Sequence, residues 1–173
     1  MVTFLMKAQF SQNLLLLFLV FFSGCAPVLS QSLIDESDQN VLFGDLQRNT
    51  ERYAGKSVLF GGTIIRVGND PSGGWAEILQ RPLGYRLEPE MHDQVGGRFL
   101  VRTQEVLDEQ IFSKGRKITL VGKVEGKETR SLDQTSYEYP LLRAQEYHLW
   151  PLGTDRYRSG PDVHFSIGVF GSF

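Results

Sequence analysis

The sequence is poor in the residues from which catalytic and metal sites are built. It contains one cysteine and three histidines among 173 residues, and a single cysteine has no intramolecular disulfide partner. His92, His148 and His164 stand far apart and form no H-x-H or H-E-x-x-H pattern, so we predict neither a metal site nor another cofactor. Because a Gly-x-Ser-x-Gly elbow and a phosphate-binding loop are also missing, we expect no catalytic residue and no enzyme.

Neither sign of charge predominates in the chain. Lysine and arginine together number 18 against 20 aspartates and glutamates, which gives a formal net charge of -2, and acids alternate with bases. No overall field therefore selects nucleic acid. We expect no nucleic-acid partner.

The chain also lacks an apolar run long enough for a membrane-spanning helix. The run over residues 14–22 has nine residues, whereas a helix needs about 20 to cross a bilayer. Lys7 precedes this run, and the small residues Ser23 and Gly24 separate it from Cys25. That order is typical of an export signal. We predict that residues 1–24 form a signal peptide, which is cleaved between Gly24 and Cys25.

Cys25 is expected to carry lipid. Residues 22–25 resemble the lipobox of bacterial lipoproteins; the alternative is an ordinary signal peptide followed by an incidental cysteine. The resemblance implies a diacylglyceryl thioether on Cys25 and an acylated amine. Such chains hold a protein firmly, since each buried CH₂ contributes about 0.8 kcal/mol. Ala26 stands where an aspartate would favour the inner membrane of enteric bacteria, so we expect an outer-membrane, lipid-anchored domain that faces the periplasm.

The mature chain divides into a tether, a domain and a tail. Residues 25–32 offer little to a core and are interpreted as a lipidated tether. Residues 33–152 hold a β-rich domain, which begins with one or two short helices before Tyr53. Residues 153–173 form a tail in which apolar side chains alternate with others from Val163 to Val169. This pattern is typical of an extra strand on the sheet edge, or of a strand that contacts lipid or a partner barrel.

Beyond Gly55 the pattern changes to short strands separated by turns. We predict a turn over Gly68–Gly74, a helical turn over Leu107–Phe112, and Pro140 near a strand start or at a bulge. Five strands with a helical insertion before the fourth predict a mainly β fold, a small OB-like Greek-key barrel of about five or six strands with short N-terminal helices. The strands are predicted at Ser57–Val67, Trp75–Gln80, Gly97–Thr103, Lys117–Glu125 and within Tyr137–Trp150.

Three glycines lie inside the predicted strands. No phosphate-loop spacing surrounds Gly61, Gly62 or Gly122, so we interpret them as structural. They suit points where a small closed sheet bends sharply and where a Cβ atom would collide with a neighbour.

Basic and aromatic side chains of the strands form a candidate ligand face, which consists of Arg66, Arg98, Arg102 and Trp75. With Arg81 and Arg116, these arginines could line one side of the barrel and bind an anionic glycan or nucleic acid. Because acids are interleaved with them, a salt-bridged surface is the interpretation that we favour. The tryptophans are expected to pack in the core or at its rim, with His148 against Trp150.

Several separated motifs follow one another along the domain. They are Tyr53, Gly55, Lys56, Val58 and Phe60 to Gly62 with Ile64; Pro82 with Leu83; Gly97 to Leu100; Gly115, Arg116, Thr119, Val121, Gly122, Val124 and Gly126; Tyr137, Tyr139 and Pro140; and His148 to Pro151. Their order and spacing, together with the lipobox, are similar to the starvation-inducible outer-membrane lipoprotein family known as Slp.

The resemblance implies a location and a response more than a chemistry. The family is associated with the envelope, starvation and acid stress, and no catalytic residue can be transferred from it. We therefore expect a non-catalytic binding or structural module. Its partners are the membrane, through the anchor, and an envelope protein or a second copy of the chain. The alternatives are a barrel that binds an envelope glycan or small ligand, and a hydrolase that uses carboxylates brought together by folding.

Overall fold

The computed structural model describes residues 28–91, 93–132 and 135–153.

The N-terminal part of the domain is helical, as the sequence predicts. Each short α-helix buries one apolar side, with Ile34 in the first and with Phe43 and Leu46 in the second. Helices of this length are not stable alone, so packing on the barrel must stabilise them. The elements are helix α1 (Gln31–Glu36), helix α2 (Phe43–Arg48) and a 3-10 helix (Thr50–Tyr53).

Five strands close into a barrel. They are β1 (Ser57–Asp70), β2 (Gly73–Arg81), β3 (Gly97–Thr103), β4 (Lys117–Leu132) and β5 (Thr135–Leu149). Neighbouring strands follow the order β1-β2-β3-β5-β4, and β4 pairs with β1 to close the sheet. The pair formed by β3 and β5 is parallel, and the other pairs are antiparallel. This is the arrangement of an OB-type Greek-key barrel, so the predicted fold class is confirmed.

The hairpin of β1 and β2 extends further than the sequence predicts. Only Pro71 and Ser72 separate the two strands, so the rest of the turn predicted over Gly68–Gly74 belongs to the strands. The carboxylate of Asp70 accepts hydrogen bonds from the N–H and the hydroxyl of Ser72. This local bonding allows a loop of two residues to reverse the chain.

The hairpin of β4 and β5 likewise runs past its predicted ends at Glu125 and Tyr137. Leu132 lies opposite Thr135 near its tip, and Lys127 donates to Glu138 across the pair at 3.1 Å. The polar run after Glu125 is typical of a loop when it is considered alone. Pairing satisfies the backbone groups of both strands, and this is why they continue.

The helical turn predicted between β3 and β4 is a single turn. The N–H of Phe112 donates to the carbonyl of Asp108 at 2.8 Å, but residues 104–116 form no helix. Buried Leu107 is held by the side chain of Asn69, which donates to its carbonyl at 2.9 Å and accepts from its N–H at 2.8 Å. These two bonds fix the loop against the β1–β2 hairpin.

Side chains fill the described interior of the barrel. Phe43 from α2 covers one end, with its ring centroid 5.4 Å from that of Phe60 and 5.6 Å from that of Phe99. A remaining cavity between Val101 and Phe112 measures about 10 Å³, which is about the space of one water molecule. This part of the interior therefore serves as core.

A second apolar cluster lies outside the barrel, over the seam where β1 pairs with β4. Its buried members come from the chain before α1, from α1 itself and from β4, and side chains of β1 and of the β2–β3 loop pack against them. Because its members come from five parts of the chain, the cluster holds the N-terminal segment on the barrel. We call it the tether face: Leu29, Ile34, Leu59, Leu87 and Val121.

The tether predicted over residues 25–32 is therefore too long. Leu29 is 1% exposed, the N–H of Ser30 donates to Glu146 at 3.0 Å, and α1 begins at Gln31. The prediction was wrong because the polar residues Ser30, Gln31 and Ser32 follow Leu29 directly, whereas Val121, which shares its cluster, is distant along the chain. Residues 25–27 lie outside the described ranges.

The loop between β2 and β3 crosses the same seam. The hydroxyl of Thr119 donates to the carbonyl of Leu87 at 2.6 Å. A Cβ atom on Gly61 would lie 2.6 Å from a methyl carbon of Leu83 and 2.9 Å from the carbonyl oxygen of Ile118. The close approach predicted at Gly61 is confirmed, and the loop can cross here because this residue has no side chain.

Candidate functional site

The four candidate ligand residues come together on the outside of the barrel. Side chains alternate along a strand, and the inward positions next to these residues are taken by core residues such as Ala76 and Val101. Arg130, on the extended part of β4, joins them. We call this outward set the arginine face: Arg66, Trp75, Glu77, Arg98, Arg102 and Arg130.

A buried carboxylate lies beneath the arginine face. Glu77 has no solvent exposure. Arg98 donates to one of its oxygens at 2.7 Å and Arg66 to the other at 2.5 Å, and the hydroxyl of buried Tyr139 donates at 3.2 Å. A charge is tolerated in such a place only when it is paired and hydrogen bonded. The three donors meet that requirement.

The ionisation of this buried group follows from its neighbours. Burial by itself raises the pKa of the Glu77 carboxyl, but the hydrogen bonds from Arg98 and Arg66 outweigh it, so the pKa lies below its ordinary value. Burial, and then the nearby Glu77 charge, raise the pKa of Tyr139. Glu77 is therefore an ionised acceptor and Tyr139 a protonated donor at neutral pH.

Arg102 connects the two long hairpins. One of its terminal nitrogens donates to Asp70 and to the hydroxyl of Ser72, both at 2.9 Å, and the other donates to Glu128 at 3.3 Å. The hydrogen bond from Ser72, followed by that from Arg102, lowers the pKa of Asp70 to about 2. Asp70 is therefore ionised at neutral pH, and the tip of one hairpin is tied to the side of the other.

Trp75 packs between the hairpins at the rim of the barrel. The guanidinium carbon of Arg130 lies 4.2 Å from the centroid of the indole, and that of Arg66 lies at 5.8 Å. Both distances are within the range of cation–π attraction. A Cβ atom on Gly68, which faces Trp75 across the hairpin, would lie 2.6 Å from the indole ring. Glycine at this position makes room for the tryptophan.

Sequence reasoning found part of this site and missed the rest. Trp75 and Glu77 are two positions apart on one strand, so alternation alone indicates that they share a face. Arg130 was missed because the fourth strand was predicted to end at Glu125. Arg116 lies elsewhere, since it donates to the carbonyls of Trp150 and Ile111.

The prediction that His148 packs against Trp150 is confirmed. The rings of His148 and Trp150 lie edge to face, with centroids 4.8 Å apart, and the indole N–H donates to Thr119 at 3.0 Å. No group of three histidine, cysteine or acidic side chains within the described ranges could hold a metal ion. The described ranges do not include Gly24, Cys25, His92, His164 or the rest of the tail after residue 153.

Replacing Glu77 with glutamine is expected to lower the free energy of unfolding at pH 7 by about 2 kcal/mol, because charge-assisted hydrogen bonds to buried groups contribute about that much. The pKa of Glu77 is lower in the folded protein than in the unfolded chain, where it is about 4.3. Its stabilising effect is therefore complete above the unfolded value and is lost as the pH falls through the folded value.

Urea unfolding at pH 7 and at pH 3 measures this difference. The wild type and Glu77→Gln should differ clearly at pH 7, and the difference should narrow at pH 3. Exposed Glu109→Gln is the control and should match the wild type at both pH values. An equal difference at the two pH values would show that the carboxylate charge is not what stabilises the arginine face.

No described helix combines the length and the apolar character that crossing a bilayer requires. Three comparisons with known proteins add further information. The chain is 30% identical over 100 residues to an uncharacterized protein of Haemophilus influenzae, and the match covers 57% of this chain and 54% of that protein. The chain thus spans about half the length of this curated relative.

A mitochondrial single-stranded DNA binding protein from S. cerevisiae is similar at 12% identity with a TM-score of 0.32, over 55% of this chain and 94% of that chain. At this distance the likeness says nothing about what the present chain binds. The family model of the outer membrane lipoprotein Slp family matches residues 22–168, which is most of the chain. The chain therefore belongs to the outer membrane lipoprotein Slp family.

Proposed function

We propose that acyl chains on Cys25 hold the protein on the periplasmic face of the outer membrane after cleavage between Gly24 and Cys25. Membership of an outer membrane lipoprotein family supports this proposal. One observation carries it: the single cysteine follows an apolar run and two small residues, and stands just ahead of the segment that packs on the barrel. Lipid would then provide the anchor that a spanning helix provides elsewhere.

Intact-mass measurement and fractionation test the anchor. Wild-type protein from envelopes is expected to begin at Cys25 and to carry the mass of a diacylglyceryl group and a further acyl chain. Cys25→Ser, exported by a leader that ordinary signal peptidase removes, is expected to move from the membrane fraction to the soluble periplasm. Ser30→Ala with the natural leader is the control and should stay with the membrane. A free thiol on Cys25 in the wild type, or residues 1–24 still attached, would refute the anchor.

We propose further that the domain acts by binding or by structural association and without catalysis. Hydrolysis by paired carboxylates needs one protonated acid with a raised pKa. The pKa values of Glu77 in the arginine face and of Asp70 beside it lie below their ordinary values, and Arg102 bonds to both Asp70 and Glu128. Asp70 and Glu77 hold arginines in place and are poorly suited to donate a proton.

The pattern of charges favours a protein partner over a polyanionic glycan. The arginine face contains four arginines, and ion pairs with Asp70, Glu77 and Glu128 occupy all four of them. A surface of alternating charges is suited to a complementary protein surface. The partner that we propose is therefore an envelope protein or a second copy of this chain. The link to starvation or stress comes from the family resemblance.

A further inference from the structure

We infer that the tether face lies against the lipid surface that holds Cys25, and that the arginine face points away from that surface. This inference rests on the lipid anchor proposed above. It specifies which side of the barrel contacts lipid and which side stays open to a partner. The occupant of the surface that surrounds the tether face is thus a membrane surface.

The first step of the argument is the reach of the chain. Consecutive Cα atoms are 3.8 Å apart, so the Cα atoms of Cys25 and Leu29 can be separated by at most about 15 Å, whatever the path between them. Leu29 is 1% exposed and belongs to the centre of the tether face. An acylated Cys25 would therefore keep the tether face within about that distance of the lipid.

The second step is the size of the domain. A compact domain of this length has a radius of gyration of about 14 Å and is therefore about 35 Å across. The barrel can tilt about its attachment, but a reach of about 15 Å is too short to turn its far side toward the bilayer. Whichever side is opposite Leu29 must face away from the lipid.

The third step is the position of the arginine face. The tether face lies over the seam between β1 and β4, whereas Trp75 and Arg102 pair with each other across the seam between β2 and β3. The strands follow the order β1-β2-β3-β5-β4 around the barrel. The β2–β3 seam is two steps away from the β1–β4 seam, and this is the largest separation that a ring of five strands allows. Arg66 and Arg130 belong to β1 and β4 themselves but lie beyond the residues that pair in the first seam, so the arginine face is centred on roughly the opposite side of the barrel.

The surface around the tether face is suited to the boundary between lipid and water. The β2–β3 loop, which packs Leu87 into the tether face, exposes Tyr85 at 103% and Met91 at 50%. Tyrosine has an apolar ring with a polar end, and it is enriched where membranes meet water. Val28 and Leu33 are partly buried against the same cluster. These residues would form the contact with lipid.

Site-specific labelling tests the orientation with the full lipidated protein. Because the chain has a single cysteine, and its sulfur would carry lipid, an introduced cysteine is the only free thiol. Tyr85→Cys and Ser72→Cys are labelled with nitrobenzoxadiazole and inserted into phosphatidylcholine vesicles that contain nitroxide-headgroup lipid. Ser72 is exposed and bonds to Arg102 of the arginine face. Quenching of the label at position 85 is expected to be several-fold stronger than quenching at position 72.

A lengthened tether provides the matched control. Inserting about 20 glycine and serine residues between Pro27 and Val28 extends the reach well beyond the width of the domain. The difference in quenching between the two positions is then expected to shrink. Equal quenching with the natural tether, or stronger quenching at position 72, would overturn the orientation while the anchor stands. Failure of the protein to float with the vesicles would overturn the anchor itself, and the orientation with it.

Discussion

Replacing Phe99 with alanine is expected to lower the free energy of unfolding by about 4 kcal/mol. Phe99 has no solvent exposure, and its ring contacts those of Phe43 and Phe60, with centroids 5.6 and 6.3 Å away. The substitution removes apolar contacts and leaves a cavity that the closed sheet around it cannot collapse to fill. Because Phe43 comes from α2, the helix is expected to loosen along with the barrel.

Urea unfolding followed by circular dichroism measures this loss. Phe99→Leu keeps most of the volume and is expected to lose only about 1 kcal/mol, so a graded series remains measurable even if the alanine variant fails to fold. Leu42→Ala is the surface control, since Leu42 is 68% exposed and should change stability by about 0.5 kcal/mol or less. A loss at Phe99 no larger than that at Leu42 would contradict the described core.

Replacing Gly62 with alanine is expected to destabilise the protein by about 3 kcal/mol. A Cβ atom there would lie 2.0 Å from the carbonyl oxygen of Leu79 and 2.8 Å from a methyl carbon of Ile78. The carbonyl belongs to the backbone of β2, so the strand itself would have to move. The collision predicted from the sequence is confirmed at Gly62. It is mild at Gly122, where the nearest atom is a side-chain carbon 3.0 Å away.

A second glycine in the same chain supplies a control of the opposite sign. Gly44 lies inside α2, and the nearest atom to a Cβ atom on it is a flexible arginine nitrogen 4.0 Å away. Gly44→Ala is therefore expected to stabilise the protein by about 0.5 to 1 kcal/mol, through the higher helix propensity of alanine. If thermal or urea unfolding showed that Gly62→Ala stabilises the protein, as Gly44→Ala is expected to do, the close packing assigned to Gly62 would be wrong.

Strand periodicity predicted the core of the barrel well and its hairpins poorly. Ile64 and Ile78 lie in apolar runs with strand spacing, and both are fully buried. The extension of β4 through Arg130 has no apolar signal, because that part of the strand stands beyond the core. It is stabilised by pairing with β5 and by the contacts of Glu128 with Arg102 and of Arg130 with Trp75, and none of these partners can be identified from one strand alone. The arginine that packs on Trp75 was missed for this reason.

The sequence by itself determined the succession of strands along the chain and which of their side chains point inward. It also determined that Cys25 follows an apolar run. These are patterns between residues that are near neighbours along the chain. Only the tertiary structure decided that Glu77 lies beneath Arg66 and Arg98, and that Leu29 and Val121 belong to one buried cluster. Both depend on contacts between residues that are distant along the chain, which exist only after the barrel has closed.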